Sequence, residues 1–91
     1  MALWARQLPY RSTHIMVERL PRGWRLTLNS SAVEERTLVE AFETLLGRNA
    51  REDELAVVVT ALAWAHAEDP ADAALTRELH SLDLEEKSDV R

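Results

Sequence analysis

Residues 52–70 read EDELAVVVTALAWAHAEDP, and this stretch constrains the fold more than any other. Glu52, Asp53 and Glu54 suit the positive end of a helix dipole, and Pro70 marks the start of whatever follows. The helix is expected to start near Asn49 and run to about Glu68. Its apolar residues do not keep to one side. Leu55, Val58, Val59, Leu62 and Ala63 form one stripe, while Val57, Ala61 and Trp64 form another. A helix apolar on two flanks sits between two layers. One layer is available in the neighbouring helices. The other is either a β-hairpin of the same chain or a second chain, and alanines at 56, 61, 63, 65 and 67 permit close approach in both cases.

The hairpin is legible at 14–28, HIMVERLPRGWRLTL. Ile15 and Val17 alternate with Met16 and Glu18, and Trp24, Leu26 and Leu28 alternate with Arg25 and Thr27. This period of two marks half-buried strands. Between them Pro21 presets φ for a turn, and Gly23 is expected to take the left-handed position that closes it. A lone hairpin is marginal in water and needs support. The segment QLPYR could add a short third strand.

Two further helices flank the central one. Ser31 followed by Glu34 has capping-box spacing, and Leu38, Ala41, Phe42, Leu45 and Leu46 recur on one helical face. Gly47 then falls just past the end. Asp69 is expected to cap a third helix with Pro70 at its first position and an apolar face of Ala71, Ala74, Leu75, Leu79 and Leu82. The resulting expectation is an α+β domain of 91 residues: an N-terminal arm (1–13), a β-hairpin (14–28) packed on a three-helix antiparallel bundle (32–84), and a frayed tail (85–91).

Charge is unevenly placed. Residues 1–25 carry five arginines against Glu18, whereas residues 26–91 carry six basic residues against fifteen acids, so +4 at the front meets −9 behind. Such a split implies two faces with different partners, or an arm that docks on its own acidic body. There is no cysteine, so disulfides and thiolate metal sites are excluded. Neither a signal-peptide core nor a membrane-length apolar run is present, which leads to the expectation of a soluble cytoplasmic protein.

Motifs that carry chemistry are sparse. His66 with Asp69, and His80 with Asp83, share helix faces, but the turn at Pro70 sets the two histidines on the order of 10 Å apart in height at 1.5 Å per residue, so surface histidines are expected rather than a metal site. No nucleophile elbow occurs, and two glycines cannot build a phosphate loop. No catalytic residue, metal or cofactor is therefore expected. The basic tip of the hairpin is the strongest polar feature. Arg19, Arg22 and Arg25 cluster there with Trp24, and guanidinium forks with an indole could grip a phosphate and stack on a base.

Residues 47–63, GRNAREDELAVVVTALA, are similar to the short helix segment of the actinobacterial acyl-CoA carboxylase epsilon subunit. In that segment a Gly-Asn-Pro turn leads into a Glu-Glu-Leu-Ala helix. Here Ala50 stands where that family has proline, and one residue is inserted between Gly47 and Asn49. The likeness implies an accessory-subunit role. In size and acidity the chain also resembles small phage inhibitors such as anti-CRISPR proteins, which implies occupation of a basic groove on another protein.

The reading that follows is a small non-catalytic protein–protein interaction module: a regulator, an inhibitor or an accessory subunit. Its expected contact residues are Arg19, Arg22, Trp24 and Arg25 at the hairpin tip, and Val57, Ala61 and Trp64 on the second stripe, with a homodimer through the central helix as one form. Nucleic-acid binding at the tip is the alternative. Overall acidity opposes it, because the body repels a phosphate backbone.

Overall fold

The computed structural model describes residues 2–90, with side chains through Leu82. Four strands, β1 (Trp4–Tyr10), β2 (Thr13–Leu20), β3 (Gly23–Leu28) and β4 (Ser31–Glu35), form an antiparallel meander in sequence order. Three helices follow: α1 (Leu38–Leu46), α2 (Glu52–Glu68) and α3 (Ala73–Val90). The class is α+β, and the expected hairpin is the central pair of a larger sheet. The frayed tail expected at 85–91 lies outside the residues whose side chains are described.

The sheet is one-sided. Leu8, Tyr10, Ile15, Val17, Trp24 and Leu26 are buried on one face. On the other face Ala5, Gln7, Pro9, His14, Ala32 and Glu34 are exposed. The helices cover the apolar face. α1 packs on β3 and β4, α2 on β1, and α3 on α2. The core is thus a layer of helices laid on a sheet, with helix–helix contact running pairwise through α2. Leu38, Ala41 and Phe42 of α1, Val58, Ala61 and Leu62 of α2, and Leu75 of α3 are fully or almost fully buried.

Three expectations are corrected here. The arm at 1–13 is the edge strand β1, in register with β2 from Trp4 opposite Arg19 to Tyr10 opposite Thr13. Residues 31–35 form β4 rather than the first helical turn. Val33 lies opposite Leu26 and Ser31 opposite Leu28, so the ladder satisfies the backbone of β3 that would otherwise be an open edge. The cap moves to the next matching motif. Thr37 has extended backbone, and its hydroxyl accepts the Glu40 N–H at 3.2 Å. Gly47 ends α1 in the left-handed region at φ 71°, donating its N–H to the Glu43 carbonyl, as its position predicts. The cap of α3 also shifts. Asp72 rather than Asp69 accepts the Leu75 N–H, at 3.1 Å, so Pro70 sits in the turn before the helix.

The pose of α2 follows from two acids. At its start Glu54, fully buried, accepts hydrogen bonds from the Tyr10 hydroxyl, from both terminal nitrogens of Arg48 at 3.2 Å and from the Arg51 N–H at 2.8 Å. At its end Glu68 accepts from Trp4 Nε1 at 3.1 Å and from Arg6 at 2.7 Å. Six strand steps span roughly 20 Å at 3.3 Å each, and fourteen helical steps roughly 21 Å at 1.5 Å each. The helix therefore lies antiparallel along β1 with matching length, clasped at both ends. This sets its rotation. Val57, Val58, Ala61, Leu62 and Ala65 turn inward as one face.

Candidate functional site

Rotation of α2 redistributes the two stripes read from the sequence. Val57 and Ala61, expected to meet a partner, are buried in the same inward face as Val58 and Leu62. Leu55 and Val59, assigned to the core stripe, point outward with Trp64. They are 36%, 43% and 49% exposed. Ala56, Thr60, Ala63 and Ala67 are exposed with them. From Leu55 to Ala67 the outward side of α2 holds no Asp, Glu, Lys or Arg. Single exposed apolar residues are ordinary, whereas a contiguous uncharged strip along about three and a half helical turns is what interaction surfaces show.

The hairpin tip does not present the cluster the sequence suggests. Trp24 is fully buried. Its ring stands edge-on to Trp4 at 6.2 Å between centroids, and its Nε1 donates to Glu78 at 3.0 Å. Arg19 is buried too, with its guanidinium 5.0 Å from the Trp24 ring centroid and 3.2 Å from Asp72. Neither can reach a base or a partner surface. Arg25 lies on the opposite sheet face, paired with Glu34 at 2.9 Å and Glu18 at 3.5 Å. Arg22 alone of the four is exposed in the β2–β3 turn. The basic front segment instead docks on the acidic body, through Arg6–Glu68, Arg11–Asp53 and Arg19–Asp72.

Burial and pairing shape the titration of these groups. Hydrogen bonds from Arg48 dominate at Glu54 and, with those from Tyr10 and the Arg51 N–H, hold its carboxyl down at about 2 against the cost of burial. Burial, then the Glu54 contact, raises the Tyr10 hydroxyl. At Asp72, burial pushes upward, but hydrogen bonds from the Leu75 N–H and Arg19 outweigh it and leave the carboxyl below its ordinary value. Each of these carboxylates is saturated by hydrogen-bond donors, so they act as clasps rather than as proton carriers.

Among the described residues no three histidine, aspartate or glutamate side chains converge as metal ligands, and no helix is long and apolar enough to cross a membrane. The side chain of Asp83, paired in sequence with His80, lies outside the described residues. The sequence offered no signal for the outward face as such, because every side of α2 is apolar enough to be buried. Glu54 and Glu68, which decide the matter, read locally as ordinary solvated acids. No family model, curated protein or solved structure matches the chain.

Proposed function

We propose that this chain is a small non-catalytic protein–protein interaction module whose contact face is the outward side of α2. The observation that supports the reading is the uncharged strip Leu55, Val59, Ala63 and Trp64, left in water by a helix whose other apolar face already fills the core. The occupant it suits is a second copy of the chain. In an antiparallel two-fold pairing the exposed alanines at 56, 63 and 67 let the two helices approach closely, and Trp64 flanks the contact. Two-fold pairs are isologous, so one self-complementary strip suffices, and tryptophan is among the residue types that most often anchor such contacts. The core of a single small domain is modest, and pairing adds to it.

Light scattering across a concentration series tests this. The expected result is a monomer–dimer equilibrium in the wild type, with Val59→Glu and Trp64→Ala monomeric and unchanged in far-ultraviolet circular dichroism. A wild-type chain that stays monomeric up to millimolar concentration overturns it. So does a dimer that both substitutions leave intact.

A further inference from the structure

A second feature lies away from α2. Three arginines that form no ion pair among the described residues, Arg22, Arg36 and Arg77, line one groove of about 510 Å³. They come from the β2–β3 turn, the link between β4 and α1, and α3. All three are exposed. Thr37 and Arg19 also line the groove, and its single acid is Glu78.

The scaffold holds these arginines together by contacts that involve none of their side chains. Gly23 is the first. A Cβ there would stand 2.3 Å from the Glu35 carbonyl oxygen and 3.2 Å from the Arg36 Cα, so the turn carrying Arg22 lies against the backbone carrying Arg36. Glu78 is the second. One carboxylate oxygen accepts from Trp24 Nε1 at 3.0 Å and the other from the Leu38 N–H at 2.8 Å. This ties α3, with Arg77 one residue before, to the mouth of the same groove. With both Glu78 oxygens engaged and Arg19 neutralised by Asp72, three positive charges face one negative charge. Like charges gathered by a rigid frame repel one another unless an anion sits between them. Of the other arginines among the described residues, those at 6, 11, 19, 25 and 48 are matched to acids, and Arg51, outside the groove, is not.

We propose that this groove binds a compact phosphate oxyanion, carried on a small phosphorylated ligand. Guanidinium forks match phosphate oxygens in pairs, and the volume is that of a small-molecule site. The Thr37 end of α1 adds its dipole in the same sense. The surrounding body, −9 over residues 26–91, disfavours a long polyanion crossing it, which selects a compact ligand over a nucleic-acid backbone.

Amide chemical shifts of the intact chain, titrated at low ionic strength with inorganic phosphate, pyrophosphate and adenosine monophosphate against matched sodium chloride, read out the site. Shifts are expected at Arg22, Gly23, Arg36, Thr37 and Arg77 with the phosphates and not with chloride. The Arg36→Ala/Arg77→Ala double variant should bind about tenfold more weakly or worse, as lost charge-assisted hydrogen bonds require. Arg25→Ala, on the far sheet face, should bind as the wild type. Tighter binding of adenosine monophosphate than of free phosphate supports the small-ligand source. Equal response to chloride, shifts centred elsewhere, or undiminished binding by the double variant overturns the site. A short thymidine oligonucleotide binding the groove more tightly than pyrophosphate overturns the compact ligand in favour of a nucleic acid.

Discussion

Arg19 and Asp72 meet at 3.2 Å across the seam between β2 and α3, with the Arg19 guanidinium also 5.0 Å from the Trp24 ring centroid. Both partners are largely withdrawn from water, and Asp72 at the same time caps α3 through the Leu75 N–H. One contact thus joins a strand, a helix start and the aromatic centre of the core.

Removing one member of this pair strands the other in a dry site. Arg19→Ala should cost about 3 kcal/mol, within the range for breaking a buried ion pair. Asp72→Asn keeps an oxygen for the cap and should cost less. Urea denaturation monitored by circular dichroism checks both, and equal losses for the two variants would contradict the division of roles.

Acid should unfold the protein through Glu54. Its folded value of about 2 lies below the ordinary 4.5, so the folded state binds fewer protons than the unfolded chain. The stabilisation is therefore complete above pH 4.5 and drains away as pH falls from there toward 2. Asp72, also lowered, acts in the same direction. Glu54→Gln should lose about 3 kcal/mol at neutral pH, because the amide cannot match the donors gathered there. It should also show a flatter stability profile below pH 5. Denaturant titrations at several pH values measure both effects.

The three tryptophans should report separately. Trp64 is half exposed, whereas Trp4 and Trp24 are buried. In dilute monomer, iodide should quench one component of the emission, and Trp64→Phe should abolish that component while changing stability by less than about 0.5 kcal/mol. Trp24→Phe leaves a Glu78 oxygen without its donor and should cost about 1–2 kcal/mol with the iodide-quenchable part retained.

The two glycines should fail for different reasons. Gly47→Ala meets open space but must hold φ 71°, a conformational cost of about 1 kcal/mol that asparagine largely relieves. Gly23→Ala drives its Cβ to 2.3 Å from a backbone oxygen, so the β2–β3 turn must part from β4. About 2–3 kcal/mol is expected for such overpacking, together with amide shifts at Glu35 and Arg36.

Several elements were legible from local chemistry alone. Alternation at Ile15, Val17, Trp24 and Leu26 specified the hairpin and its buried face, because side chains on a strand take opposite sides by geometry. The position of Gly47 specified the end of α1, because few other residues tolerate that backbone conformation. The end of α2 at Glu68 was likewise readable, whereas its start lies at Glu52 rather than near Asn49. Gly23 was placed in the right turn, yet its need is for space beside β4 rather than for a left-handed φ, and only neighbours twelve and thirteen residues away make that need visible.

Other features depended on partners distant in the chain. The motif Ser31-x-x-Glu34 and the motif Thr37-x-x-Glu40 look alike as caps, and the free edge of β3 decided between them by drawing residues 31–35 into the sheet. An all-round apolar helix has no preferred inward side of its own. The anchoring of Glu54 to Tyr10 and of Glu68 to Trp4 and Arg6 chose one, burying Val57 and Ala61 and leaving Leu55, Val59 and Trp64 in water. Sequence patterns carry what a residue's own backbone and near neighbours require, whereas the facing of α2 and the gathering of Arg22, Arg36 and Arg77 arise from long-range hydrogen bonds and packing that no local pattern encodes.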